Sequence, residues 1–260
     1  MLHPTAIIHP KAKLADDVQV GPYSIIGEHV EIGSGSVIGP HVVIDGHTTI
    51  GKENRIFQFS SIGEIPQDKK YKDEPTRLVI GDNNTIRECC TLNLGTVQDK
   101  GVTTIGSDNW IMAYVHVAHD CVIGNDNTIA NSVQFAGHVE IGNHILIGGL
   151  SGIHQYVRIG DFAMVGFQTR LSQDVPPFVT AVGNPAKAKG PHQEGPRRKG
   201  YSDIRLDMIK KMYRALYRSG SNFDNSKQEI AGFRGQSKEA DTDIDNMLIF
   251  LNNATRGITR

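Results

Sequence analysis

An aliphatic or aromatic side chain recurs at every sixth position along most of the chain, beginning with Ile8, Leu14, Val20, Ile26, Ile32, Ile38, Ile44, Ile50, Ile56 and Ile62. The register returns at Ile80, Ile86 and Leu92, and again from Ile105 through Ile111, Val117, Ile123, Ile129 and Phe135 to Leu171. A period of six fits neither the 3.6 residues of a helical turn nor the alternation of a simple strand. It fits a solenoid in which each hexapeptide forms one side of a triangular coil and three make a turn. Coils stacked about 4.8 Å apart would place the repeated aliphatics in a dry interior ladder. Glycine often follows the repeat residue, as at Gly27, Gly33, Gly106 and Gly124, where the chain is expected to bend without a Cβ in the way.

The pattern breaks twice, near 64–78 and near 93–104, and such insertions tend to project on one side of a solenoid and carry function. Beyond Val175-Pro176-Pro177 it fades, and Gly183-Asn184-Pro185 reads as a closing turn. The division expected is therefore an all-β parallel β-helix over 1–186, then a small α-helical domain over 187–260. In the latter, Ser202 precedes an amphipathic run (Ile204, Met208, Ile209, Met212, Leu216, Tyr217) that ends at Gly220, a helix with an N-cap and a terminal glycine. Weaker helices are predicted over Lys227 to Ala231 and Asp243 to Leu251.

Composition narrows the function classes. A net charge of −1 gives no global field for nucleic acid, and no run of eighteen apolar residues predicts a membrane span. The first residues lack the basic and apolar regions of a secretory leader, so a cytoplasmic location is expected. Three cysteines, Cys89, Cys90 and Cys121, match no metal or disulfide spacing and read as reduced packing residues. Cys89 and Cys90 are expected to alternate across a strand.

Of 11 histidines, His119, His138 and His154 lie 19 and 16 positions apart, each separation close to one turn, which predicts a wall of imidazoles along one edge. Three histidines can bind zinc and leave a position open. The preferred reading takes His119 as a general base on a hydroxyl too weakly acidic to attack unaided, with the next residue, Asp120, orienting the ring. Without further information, a satisfied surface or interface histidine is an equal alternative for any one of them.

The string Tyr114-Val115-His116-Val117-Ala118-His119-Asp120-Cys121, with Gly137-His138 and Ile153-His154-Gln155, resembles the UDP-N-acetylglucosamine O-acyltransferase family of hexapeptide-repeat acyltransferases. So do Asp68 to Lys70-Tyr71, Glu74-Pro75-Thr76-Arg77, Gly95-Thr96-Val97-Gln98, Gln173-Asp174-Val175-Pro176-Pro177 and Thr255-Arg256-Gly257-Ile258. The resemblance implies a left-handed coil, a homotrimer with sites between neighbouring prisms, and transfer of an R-3-hydroxyacyl group from acyl carrier protein to the glucosamine 3-hydroxyl of UDP-N-acetylglucosamine. That is the first step of lipid A synthesis, and it takes no cofactor and no metal.

By motif position the resemblance makes His119 the base, Asp120 its partner and the Gly137 N–H an oxyanion donor. Asp68, Lys70, His116, His138 and Gln155 would bind sugar, phosphate or acyl groups, and His154 would line the acyl-pantetheine side. Glu194, Arg198 and Lys199 fall on the stretch that holds the nucleotide, where paired cations suit a pyrophosphate. The chain departs from the family pattern at Asn93, His192, Pro196 and Phe167. Many members place Gly at the last of these, on the floor of the groove that measures the acyl chain, so Phe167 implies a shorter donor. Ten cations between Lys187 and Arg218 could form an ordinary solvated face or a dock for an acidic carrier. A CoA-dependent acetyltransferase and an inert β-helical scaffold are the competing readings. The related N-acyltransferase resembles a longer chain with an extra N-terminal domain.

Overall fold

The computed structural model describes residues 1–254 and 256–260, so Thr255 of the terminal motif lies outside the described residues. The hexapeptide strands form three parallel sheets, one per side of a left-handed triangular prism. A nine-stranded face runs from Ile7–Ile8 to Arg170–Leu171, and an eight-stranded face from Lys13–Leu14 to Arg158–Ile159. The ten-stranded face begins at Gln19–Val20 and ends with Val179–Val182 and Lys187–Pro191. Successive coils pair 18 residues apart, as Ile8 with Ile26 and Ile26 with Ile44. Ile62 pairs with Leu92 and Leu92 with Val117, so the two interruptions lengthen their coils without disturbing the interior register. The repeat residues are almost all buried and form one continuous core. Asn54, Asn84 and Asn109 stack within it as a ladder of amide hydrogen bonds of 3.0 Å, which satisfies their otherwise costly burial.

Apart from Gly63 (φ 79°), the glycines after the repeat residues serve a purpose other than the one expected. At Gly106 and Gly124 a Cβ would stand 2.6 and 2.3 Å from a carbonyl oxygen of the next coil, so what they permit is close stacking. The left-handed bends fall two positions later in each corner and are mostly carried by other residues, among them Asp120 (φ 58°), His138 (φ 63°) and Tyr156 (φ 63°). Cys89 (φ 58°) occupies such a corner too, so Cys89 and Cys90 do not alternate across a strand. Cys90 turns inward and its Sγ meets the Met112 carbonyl at 3.2 Å.

Lys187–Pro191, where the helical domain was expected to open, is instead a strand antiparallel to Val179–Val182. The helices follow: α1 (Glu194–Arg198), α2 (Asp203–Tyr217), α3 (Phe223–Ala231) and α4 (Asp241–Asn252). Ser202 caps α2 by accepting from the Arg205 N–H. Asn222 caps α3 from the Asn225 N–H at 2.8 Å, which starts that helix four residues before the expected Lys227. The helices pack on Phe162 and Phe178 at the end of the prism, forming a second core with Met212, Ile244 and Met247. Among the described residues no helix is long and apolar enough to cross a membrane.

Candidate active site

Every connection from the nine-stranded to the eight-stranded face turns the same edge of the prism, and the chemistry collects there. The first interruption joins Ser61–Glu64 to Arg77–Ile80, and the second joins Thr91–Asn93 to Val102–Ile105. One coil on, His119 and Asp120 turn between His116–Val117 and Val122–Ile123. Gly137-His138 and then Gln155-Tyr156 occupy the same corner of the next two coils. Thus both loops and the His–Asp pair share one edge because each replaces or follows the same corner.

His119 Nδ1 lies 2.9 Å from Asp120 Oδ2. A carboxylate only accepts, so Nδ1 carries the proton and Nε2 keeps a lone pair. Asp120 is fully buried, and the second loop supplies its other donors: the Thr96 N–H at 3.0 and 3.1 Å from its two oxygens, and the Thr96 hydroxyl at 2.6 Å. Burial opposes ionisation of Asp120, but the hydrogen bonds from His119 and Thr96 outweigh it and hold the carboxyl below its ordinary value. Gly137 makes room for the ring, since a Cβ there would lie 2.7 Å from His119 Nε2. The Gly137 N–H meets no acceptor among the described residues, a property it shares with the first residues of the neighbouring corners, His119 and Gln155.

His138 stands edge-on to His119, ring centres 4.9 Å apart, and stacks on Tyr156 at 4.3 Å. Its Nδ1 is 2.7 Å from Asp99 Oδ2 and 3.9 Å from Asp120 Oδ2. His154 does not join this group. It falls two positions short of the corner residue Tyr156, turns its Nδ1 to the Gln155 carbonyl at 3.1 Å, and lines a cavity of about 410 Å³ on the nine-stranded face with His116, Gln134, Gly152 and Arg170. Gln155 is exposed at the corner beside it. His116 Nδ1 meets the Thr91 hydroxyl at 2.8 Å, and burial, with the nearby His119, pushes its pKa down. The wall of three imidazoles is therefore a pair, and the three-histidine zinc arrangement is not formed. His119, Asp120 and His138 are close enough to hold a cation, but both Nδ1 atoms and the Asp120 carboxylate are already engaged, with one another, Thr96 and Asp99.

The residues expected to hold the nucleotide lie on a different edge, where the eight-stranded face turns into the ten-stranded one. There α1 closes a cavity of about 350 Å³ lined by Asp126, His144, Phe162, His192, Arg198 and Lys199. Lys199 pairs with Asp126, which also accepts from His144 Nδ1 at 2.9 Å. Burial would raise the Asp126 pKa, but Lys199 and His144 bring it below the ordinary value. Glu194 accepts from Arg198 at 2.9 Å and Arg197 at 3.1 Å. His192 donates from Nδ1 to the Phe162 carbonyl (2.8 Å) and accepts the Gly195 N–H at Nε2 (3.3 Å), so it pins α1 to the prism. In the first loop Asp68 accepts the Lys70 N–H at 2.9 Å, and neither side chain bonds to the His119 group among the described residues. Asn93 donates to the carbonyls of Glu64 and Ile65, tying the bases of the two loops together. Phe167 stands on the third edge, 65% exposed, its ring against Gly149.

Thr96, Asp99 and Asp126 did not emerge from the sequence as site residues. Thr96 and Asp99 lie in the stretch without periodicity, where spacing carries no signal.

Residues 174–259 match the family described as UDP N-acetylglucosamine O-acyltransferase, domain 2, and residues 11–46 and 103–137 match the bacterial transferase hexapeptide repeat. Among curated relatives, the acyl-[acyl-carrier-protein]--UDP-N-acetylglucosamine O-acyltransferase of Leptothrix cholodnii is 53% identical over 261 residues, covering 100% of this chain and 99% of its own. That of Thiobacillus denitrificans is 51% identical with the same coverage. The crystal structure of UDP-N-acetylglucosamine O-acyltransferase from Moraxella catarrhalis superposes with a TM-score of 0.96 at 48% identity, covering 100% of this chain and 99% of that one. The corresponding Acinetobacter baumannii structure gives 0.93 at 46%, with the same coverage.

Proposed function

The chain belongs to the UDP-N-acetylglucosamine O-acyltransferase family and transfers an acyl group from acyl carrier protein to UDP-N-acetylglucosamine, the first step of lipid A synthesis; we propose that it does so with His119 as the base. The acceptor is the glucosamine 3-hydroxyl and the donor an R-3-hydroxyacyl thioester. His119 Nε2 takes the hydroxyl proton as the oxygen attacks the thioester carbonyl, and Asp120, ionised and buried, stabilises the imidazolium that forms. The Gly137 N–H receives the oxyanion. Collapse breaks the carbon–sulfur bond, and the imidazolium returns its proton to the departing thiolate. No cofactor enters this scheme. The observation that carries it is the 2.9 Å bond from His119 Nδ1 to Asp120, because it leaves Nε2 as the free basic atom beside Gly137.

The chain works as a homotrimer in this reading. What supports it is that Glu194, Arg198 and Lys199 stand on a different edge from His119, so a site holding both sugar and nucleotide draws on two copies. His154 and the cavity on the nine-stranded face take the acyl-pantetheine arm, while Asp68, Lys70, His116, His138 and Gln155 receive the sugar, its phosphates and the acyl head. A cytoplasmic location suits soluble substrates and the buried free thiols of Cys90 and Cys121, each pushed up to about 12 by burial.

The test is turnover of UDP-N-acetylglucosamine with 3-hydroxyacyl carrier proteins of graded length. His119→Ala should lose about 10²- to 10⁴-fold in kcat with the fold intact. Unchanged turnover in that variant would remove the base assignment, and turnover with acetyl-CoA in place of carrier protein would favour the acetyltransferase reading. Mixing a His119→Ala chain with an Arg198→Ala chain in one assembly should restore part of the activity that each lacks alone.

A further inference from the structure

The second interruption leaves the prism after Asn93, climbs two coils along the edge and returns at Val102, touching the upper coils at three points. Thr96 meets Asp120, Asp99 meets His138, and Lys100 pairs with Glu140. The Asp99 contact has no counterpart in the scheme above. Its carboxylate lies 2.7 Å from His138 Nδ1, while His138 is held from its other sides by Tyr156, stacked at 4.3 Å, and by the edge of His119. The ring is nearly enclosed, with 10% of the side chain exposed, whereas the Asp99 side chain is 35% exposed.

We propose that Asp99 is a positioning residue for the acyl transfer, acting through His138: it accepts a hydrogen bond from Nδ1–H, which holds the proton there and so fixes Nε2 as the atom that ring presents to substrate. This deepens, and rests on, the assignment of the His119 edge as the acyltransferase site. A neutral imidazole in water prefers its proton on Nε2, so without a partner at Nδ1 the ring would present a donor where the bound form presents a lone pair. An ionised carboxylate reverses that preference because it accepts only. The same contact keeps His138 Nδ1 from competing for Asp120, whose Oδ2 is 3.9 Å away and already serves His119 and Thr96. The edge thus carries two parallel His–carboxylate pairs, one built from neighbours in sequence and one closed by the loop. The first supplies the base. The second sets the hydrogen-bonding polarity of the imidazole beside it, which selects an acceptor group that offers a proton, such as a sugar hydroxyl or amide N–H.

Three variants of the full-length protein test this by kinetics and by ¹⁵N–¹H correlation spectra of the histidine rings. Asp99→Ala should lower kcat/KM for UDP-N-acetylglucosamine by about 10- to 100-fold, as expected for loss of a charge-assisted bond, and move the His138 ring toward the Nε2–H tautomer. Asp99→Asn keeps an acceptor oxygen, so it should recover most of the rate and retain the Nδ1–H signature. Lys100→Ala loosens the loop at its other contact without touching His138, and should change neither. The proposal is overturned if the His138 spectrum of Asp99→Ala matches that of the unaltered protein, or if Lys100→Ala loses as much rate as Asp99→Ala, since the loop alone would then be responsible. If the unaltered protein fails to acylate UDP-N-acetylglucosamine at all, the reading of the reaction falls, and the spectra still decide whether Asp99 controls His138.

Discussion

The His119 ring lies against Gly137 so closely that a methyl group on that glycine would come within 2.5 Å of Cε1 and 2.7 Å of Nε2. The contact joins two successive coils at the edge where the proposed chemistry occurs. It also explains why a residue without a side chain stands there, since the Gly137 backbone does not adopt a left-handed conformation.

Gly137→Ala therefore tests the ring's position rather than the fold. The group displaced is the tip of a side chain, so the thermal midpoint should stay within about 2 °C of the parent, the shift expected of a change under 1 kcal/mol in a chain of this size. Turnover should fall by about 10²-fold or more, because misplacing a reacting group by an ångström carries a loss of that order. Parental turnover in a well-folded variant would show that His119 works from another position.

Asp174 offers a pH test at the junction of prism and helices. It is fully buried; Oδ1 accepts the Arg158 N–H at 2.8 Å and Oδ2 has no partner among the described residues. Burial raises its pKa, and the charges of Arg158 and Arg256 offset this only in part. A carboxyl whose folded value is raised is tolerated best while protonated, so its contribution to stability declines as pH rises from the unfolded value through the folded one. Asp174→Asn keeps the acceptor for Arg158 and removes the charge. Its thermal midpoint should exceed the parent's by about 2 °C at pH 7, and the gap should close below about pH 4. A gap independent of pH would assign the effect to packing.

The fold was legible because an interior of identical ladders forces identical spacing: Ile26, Ile44 and Ile62 must fall in register for their coils to pair. The corners were not, since the period marks which residue points inward and says nothing of φ. Non-glycine residues such as His138 and Tyr156 hold the left-handed bends. The same blindness placed His154 on the wall with His119, although a count of one turn from His138 ends at Tyr156. His119 beside Asp120 could be read because the pair is local. Thr96 and Asp99 could not, because their contacts span 24 and 39 positions and come from a loop whose path no repeat dictates. Likewise Lys199 was identified among the nucleotide residues, but its pairing with Asp126 depends on how α1 folds back over the prism.

Half of the basic stretch between Lys187 and Arg218 is already neutralised. Arg197 and Arg198 pair with Glu194, Lys199 with Asp126, Arg205 with Asp243 and Lys210 with Asp207. Lys187, Lys189, Lys211, Arg214 and Arg218 stay exposed without an ion pair among the described residues, on a strand and a helix that pack together. If these dock the acidic carrier, KM for acyl carrier protein should rise severalfold between about 50 and 200 mM salt, since screening weakens long-range attraction between exposed charges. A small uncharged acyl thioester should show no such rise. Lys211→Glu with Arg214→Glu should reproduce the effect at low salt, and salt-independent KM values would assign these cations to solvation alone.

Phe167 marks the far end of the path proposed for the acyl chain. Its ring covers Gly149 on the edge where the ten-stranded face turns into the nine-stranded one. The next strand on its coil, Arg170–Leu171, and the one below, Gly152–Ile153, floor the cavity that His154 lines. Gly152 leaves that floor bare between Gln134 and Arg170, and in the proposed reading a chain laid across it from His154 would end at the Phe167 ring. Phe167→Gly should therefore shift the preferred donor to a longer 3-hydroxyacyl chain. Each methylene newly buried would add about fourfold to kcat/KM, the equivalent of roughly 0.8 kcal/mol, until the chain meets the next obstruction. Because the ring is 65% exposed, its removal leaves no core cavity and the variant should fold as the parent does. An unaltered donor profile would place the end of the acyl groove elsewhere.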